Sequence, residues 1–204
     1  MTFVKICGIT RLEDARAALD QGATALGFVF WPGSPRYLEP ARARAIVDGL
    51  ARPAITVGVF VDQAIDEMNA VAESVGLTAL QLHGSEPPAF ARQLSRPVIK
   101  AIASLNGSWE RDPWPPDVPI LVDAHDPVRH GGTGTRADWP AAAALARKRR
   151  VVLAGGLTPE NVAAAIAAVR PYGIDVSSGV EAAPGIKDRE KLAALFDALE
   201  KVGG

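Results

Sequence analysis

Val4-Lys5-Ile6-Cys7-Gly8-Ile9-Thr10-Arg11-Leu12-Glu13 runs from a short apolar segment through one loop into a helix start. Thr10 and Glu13 stand in capping-box register, and Leu12, Ala15 and Leu19 then fall on one face until Gly22 closes the helix. A strand that feeds a helix this directly is the first part of a βαβ unit. Its loop, Cys7-Gly8-Ile9-Thr10, lacks the glycine fingerprint that an open, doubly wound nucleotide-binding sheet carries after its first strand. How often the unit repeats therefore decides between an open sheet and a closed barrel.

Counting the first, Phe3 to Cys7, the strand candidates are Ala25 to Phe30, Ile55 to Val61, Ala79 to His83, Val98 to Ile102, Ile120 to Asp123, Arg150 to Ala154 and Gly173 to Val176. Most are short continuous apolar runs, the pattern of strands buried on both faces. Helical stripes lie between them: Ile65, Met68, Ala72 and Val75, ended by Gly76; Val162, Ile166 and Val169 after a Thr158-Pro159 cap; and Leu192, Leu195, Phe196 and Leu199 at the end. Pro87-Pro88 and the Trp109 to Pro119 stretch interrupt the helical period after the fourth and fifth strands. Eight alternations predict an α/β fold, a single-domain (β/α)8 barrel spanning residues 1–204.

The 204 residues carry 22 basic and 23 acidic side chains spread along the chain, so composition points to neither nucleic acid nor an anionic membrane. A lone cysteine excludes an internal disulfide and a cysteine-rich metal site. With no apolar run of membrane-spanning length and no leader-like start, the reading is cytoplasmic. Gly132-Thr133-Gly134-Thr135-Arg136-Ala137 has the spacing of a dinucleotide loop, but no strand directly precedes it and no acidic residue stands about 20 positions on. Gly131-Gly132-Thr133-Gly134 reads better as a mobile loop.

In barrels the chemistry gathers at the C-terminal strand ends, with phosphate commonly held by the loops after the seventh and eighth strands. Gly155 and Gly156 follow the seventh strand; Ser177, Ser178 and Gly179 follow the eighth and lead into Val180-Glu181-Ala182, which reads as a single helical turn. Together they predict the phosphate-binding type of barrel. Lys5 and Cys7 project to one side of the first strand, and Asp175 with Ser177 to one side of the eighth, its neighbour in a closed barrel. Asp175 is the simplest partner for a buried Lys5, and the pair has a purely structural alternative. Cys7 reads either as a small buried hydrophobe or as a base whose thiolate Lys5 favours. Asp123 ends the sixth strand, with Asp126 as a competitor for its role. His83 is an acid, a ligand or a satisfied rim histidine, and with His125 and His130 it makes no metal spacing. Arg36, in Gly33-Ser34-Pro35-Arg36-Tyr37, is either a solvated charge or a fork for a substrate carboxylate.

Over essentially its whole length the chain resembles the phosphoribosylanthranilate isomerase family. The resemblance rests on Lys5-Ile6-Cys7-Gly8-Ile9-Thr10, Gly27-Phe28-Val29-Phe30 with Ser34-Pro35-Arg36, Leu80-Gln81-Leu82-His83-Gly84, Leu153-Ala154-Gly155-Gly156-Leu157 and Asp175-Val176-Ser177-Ser178-Gly179-Val180-Glu181. It implies an Amadori rearrangement of N-(5-phosphoribosyl)anthranilate, a small phosphosugar substrate, in tryptophan biosynthesis. It further implies Asp123 as general acid, Cys7 as general base, Arg36 at the anthranilate carboxylate, and phosphate at the Gly155 and Ser177 regions. Lys5, His83 and Asp175 are the remaining substrate-site candidates. No metal or organic cofactor is implied, and the sequence leaves monomer and homodimer open. Two other readings are the related histidine-pathway isomerase, which resembles a two-aspartate machine, and a phosphate-binding barrel acting as a ligand sensor. Cysteine at the first strand end argues against the former, and retention of both Cys7 and Asp123 against the latter.

Overall fold

Along the first strand, β1 (Phe3–Ile6), alternate side chains take opposite duties. Phe3 and Lys5 point to the barrel axis, while Val4 and Ile6 join the layer between strands and helices. The computed structural model describes residues 3–102, 114–123 and 138–203. The chain continues through α1 (Leu12–Gln21), β2 (Ala25–Val29), α2 (Pro40–Asp48), β3 (Ile55–Phe60), α3 (Ile65–Val75), β4 (Ala79–Leu82), a 3-10 turn at Pro88–Arg92, β5 (Val98–Ile102) and β6 (Ile120–Val122). It ends with α4 (Trp139–Ala146), β7 (Val151–Leu153), α5 (Val162–Val169), β8 (Gly173–Val176), a 3-10 turn at Ser178–Val180, the strand pair β9 (Glu181–Ala183) and β10 (Ile186–Lys187), and α6 (Arg189–Gly203).

β1 to β8 close in sequence order into a barrel of parallel strands. β8 closes onto β1 with Lys5 opposite Asp175, so the pairing expected from strand adjacency is met. The axis is filled by small and branched aliphatic side chains such as Ala25, Val57, Ala79, Leu121 and Val152. The larger core lies outside them, where Ile6, Phe28, Leu80 and Val176 of the strands meet Ala15, Met68, Val162 and Leu195 of the helices. Burial on both faces explains the continuous apolar strand runs. Gly22 and Gly76 end α1 and α3 in left-handed conformation, as read from the sequence.

Three expectations change, and one interruption is met. The Thr10 hydroxyl donates to the Gly185 carbonyl at 2.5 Å instead of capping α1, whose first turn begins after Arg11 without a side-chain cap. Thr158 and Pro159 precede the helix rather than start it: Asn161 accepts from the Thr158 N–H at 2.9 Å and donates to the Gly156 carbonyl at 2.8 Å, and α5 begins at Val162. As the interruption at Pro87-Pro88 implied, the fourth connection holds only the Pro88–Arg92 turn, because two prolines remove the donors a longer helix needs. Finally, the helical turn expected at Val180-Glu181-Ala182 lies at Ser178–Val180, and Glu181 instead opens the β9–β10 hairpin. His125, Asp126, His130, the Gly131 to Gly134 loop and residues 109–113 lie outside the described residues.

Candidate active site

Cys7, His83 and Asp123 each stand one residue beyond a strand, past Ile6, Leu82 and Val122, so the strand ends aim them at one mouth of the barrel. A cavity of about 430 Å³ opens there, and all three line it. Asp175 and Gln81 form part of its floor; Gly155, Gly156, Ser177 and Ser178 line the side of β7 and β8; Val29, Trp31 and Val59 line an apolar side with Arg36 near them. Consecutive positive φ angles of 82° and 61° at Gly155 and Gly156 turn the chain tightly, which glycine permits without strain.

Two expected site residues do not reach the cavity. Lys5 is wholly buried below the floor, where Nζ donates to Asp175 Oδ2 at 2.9 Å. Gly179 packs behind the wall: a Cβ there would overlap the Leu157 carbonyl oxygen, so glycine lets the β7 and β8 loops touch. A third glycine, Gly27, makes room for the side chains of Lys5 and Cys7, since a Cβ on it would lie 2.7 Å from Cys7 Sγ and 2.9 Å from Lys5 Cε.

Burial pushes the Cys7 thiol above its ordinary value; Lys5 opposes this and Asp175 adds to it. Lys5 was expected to favour the thiolate, and it does pull that way, but removal of the thiolate from water is the larger effect. Burial also disfavours the Lys5 ammonium, yet Asp175 and Cys7 outweigh it and hold its pKa above the ordinary lysine value. Burial raises the Asp175 carboxyl against the pull of Lys5. Its Oδ1 is buried without a partner among the described residues, as is Gln81 Oε1.

Across the mouth, Gln81 Nε2 lies 2.9 Å from His83 Nδ1. An amide nitrogen only donates, so Nδ1 accepts and the ring proton belongs on Nε2. That nitrogen faces Asp123 Oδ2 at 3.4 Å, and Asp123 is anchored through its backbone N–H to the Ile102 carbonyl at 3.1 Å. Arg36 is not a solvated charge: Glu181 takes Nε at 2.9 Å and Nη2 at 2.6 Å. Lys187 Nζ in turn donates to Glu181 Oε1 at 2.8 Å, to the Cys7 carbonyl at 2.5 Å and to the Ser177 carbonyl at 3.2 Å. For Glu181, Arg36 and Lys187 outweigh burial and lower its pKa; burial lowers that of Lys187 despite Glu181. Sequence reasoning missed Glu181, Lys187, Gln81 and Trp31 as site groups. A lysine at the end of a two-residue strand gives no sign of being buried; the Cys7 carbonyl it meets 180 positions away shows it. Among the described residues no group of three or more His, Cys, Asp or Glu side chains could hold a metal ion.

This is the layout of a phosphate-binding (β/α)8 barrel enzyme, with its chemistry at the C-terminal strand ends. The family model for N-(5'-phosphoribosyl)anthranilate isomerase matches residues 4–198, and the chain belongs to that family of tryptophan-biosynthesis isomerases. It is 51% identical over 205 residues to the N-(5'-phosphoribosyl)anthranilate isomerase of Geobacter sp., covering 99% of this chain and 100% of the relative. The crystal structure of phosphoribosyl anthranilate isomerase from Thermotoga maritima superposes with a TM-score of 0.90 at 43% identity, covering 98% of this chain and 100% of that one. A phosphoribosyl anthranilate isomerase in complex with reduced 1-(o-carboxyphenylamino)-1-deoxyribulose 5-phosphate superposes with a TM-score of 0.87 at 41% identity, with 98% and 100% coverage.

Proposed function

We propose that this chain rearranges N-(5'-phosphoribosyl)anthranilate to 1-(2-carboxyphenylamino)-1-deoxyribulose 5-phosphate, with Asp123 as general acid and Cys7 as general base. The observation that carries the reading is that one cavity is lined by both Cys7 and Asp123, by the Gly155–Gly156 and Ser177–Ser178 loops, and by an apolar side ending at Arg36. Those three surfaces suit a sugar, a phosphate and a carboxylated aromatic ring, the three parts of the ligand bound by the family member described above. Protonation of the furanose ring oxygen by Asp123 breaks its bond to C1 and leaves a protonated Schiff base. Cys7 then removes the C2 proton, the electron pair moves towards nitrogen to give an enolamine, and tautomerisation yields the ketone. His83, donating through Nε2, stabilises the Asp123 carboxylate after its proton has left. Asp175 Oδ1, buried and unpartnered among the described residues, accepts from a sugar hydroxyl. Lys5 contributes from beneath by fixing Asp175. Backbone N–H groups of the two loops bind the phosphate.

Steady-state turnover of phosphoribosylanthranilate, generated in place and followed by loss of its fluorescence, tests the reading. Wild type should turn over, and Cys7→Ser and Asp123→Asn should each lose a factor of about 100 or more in kcat. Wild-type binding without turnover would return the imidazole substrate and the sensor reading to consideration.

A further inference from the structure

A guanidinium that recognises an anion has to be aimed, and Arg36 is aimed by contacts that the catalytic reading leaves unused. Its stem runs over Gly8, where a Cβ would lie 2.5 Å from Arg36 Cδ, and φ is 74°. Its guanidinium is gripped along one edge by Glu181, through Nε at 2.9 Å and Nη2 at 2.6 Å, with Arg36 only 9% and Glu181 6% exposed. A carboxylate this close would by itself cancel the positive charge that makes Arg36 useful. Lys187 prevents that: fully buried in its side chain, it shares Glu181 Oε1 at 2.8 Å, so two cations flank one anion. The hairpin carrying both Glu181 and Lys187 is itself tied to the first loop, through Thr10 to the Gly185 carbonyl, and to the first turn of α1, through the Lys187 N–H to Asp14 Oδ2 at 3.0 Å.

We infer that Glu181 is a positioning residue that sets selectivity for the aryl carboxylate of the substrate, by holding Arg36 with Nη1 presented to the cavity, and that Lys187 supplies the counter-charge that keeps this cluster cationic. The inference rests on the proposed substrate and assigns one part of it to a cluster. A rigid, net-positive guanidinium discriminates a carboxylate from its absence; a loose or neutralised one does so poorly.

The test compares two ligands: reduced 1-(o-carboxyphenylamino)-1-deoxyribulose 5-phosphate and its analogue with an unsubstituted phenyl ring. Dissociation constants are measured calorimetrically for wild type, Arg36→Met, Glu181→Gln, Lys187→Met and the Arg36→Met/Glu181→Gln double variant. Glu181→Gln and Lys187→Met should weaken the carboxylated ligand by about tenfold and the phenyl analogue by less than about twofold, and Glu181→Gln should add nothing in the Arg36→Met background. In turnover, KM should rise more than kcat falls. Equal weakening of both ligands would reduce Glu181 to a structural role and overturn the inference, as would unchanged binding of both. Should Glu181→Gln fail to fold, Glu181→Asp, which keeps the charge but withdraws it from Arg36, takes its place in the same cycle and should show the same selectivity. If Arg36→Met weakens both ligands equally, the carboxylate assignment of Arg36 is the part that falls; selective weakening of the carboxylated ligand by Arg36→Met but not by the Glu181 variants removes only the positioning role.

Discussion

Around Cys7, Lys5 meets Asp175 at 2.9 Å, Ser177 Oγ meets the Cys7 carbonyl at 3.1 Å, and Lys187 meets the same carbonyl at 2.5 Å. On the opposite side of the mouth, His83 approaches Asp123 at 3.4 Å and is itself oriented by one amide, Gln81. The Cys7 side is an ionic frame in the barrel interior; the Asp123 side is a short relay of side chains at its rim. The difference follows from what each group is proposed to do. A base that takes a proton from carbon gains from fixed geometry and from fixed charges. An acid that must let a proton go needs a partner that strengthens its grip as negative charge appears.

If the frame carries the Cys7 side, Lys5→Met should be the most damaging single change, because it leaves the Asp175 carboxylate buried without its cation. A loss of about 3–5 kcal/mol in urea unfolding is expected, against less than about 1 kcal/mol for His83→Asn on the other side. Comparable losses for the two would erase the contrast.

The Asp123 side is sharpened by Gln81→Leu, which removes the donor to His83 Nδ1 and so frees the ring to carry its proton on either nitrogen. Turnover should fall about tenfold with little change in stability. Nitrogen NMR should show the Nε2-protonated tautomer in wild type and a mixture in the variant; an unchanged tautomer would dismiss the relay.

The raised pKa of Cys7 separates the sides by pH. Because the thiolate is the proposed working form and burial keeps the thiol protonated, kcat/KM should still climb as pH passes the ordinary thiol value of 9.0. The same shift has an opposite consequence for stability: above that value an unfolded chain releases the proton that the folded chain retains, so this contribution is present below 9.0 and is lost as pH rises towards the folded pKa. Cys7→Ala should flatten that decline in urea unfolding measured against pH. A plateau in kcat/KM reached near neutral pH would show instead that Lys5 dominates burial.

The smallest effect calibrates the others. Arg44 and Asp48 meet at 2.7 Å on the surface of α2, closer than Lys5 and Asp175, but at 50% and 56% side-chain exposure. Arg44→Ala should cost less than about 0.5 kcal/mol, since water screens the pair. A larger loss would mean that distance rather than burial governs these contacts.

Most of the frame was legible in the chain. Apolar runs long enough for one buried strand, separated by helical stripes, predicted all eight barrel strands within about one residue at their ends. Cys7, His83, Asp123, Asp175 and Arg36 were legible because each sits at a strand end or in the loop that follows, and barrel topology turns such positions into one mouth. The capping box at Thr10 and the helical turn at Glu181 misled because both segments spend their polar groups on distant partners, Thr10 on Gly185 and Glu181 on Arg36, contacts 175 and 145 residues apart. A local pattern has no means of weighing such a partner.

The sequence by itself determined the eightfold βα repeat, which polar side chains share a side of the first and eighth strands, and the loops that line the cavity, since period and turn chemistry are properties of neighbours in the chain. Only the tertiary structure decided that Lys5 lies beneath the cavity, that Glu181 and Lys187 hold Arg36 and the Cys7 carbonyl, and that burial raises the thiol. Those outcomes depend on removal from water and on charges brought together by closure of β8 onto β1, and neither quantity exists until the chain has folded.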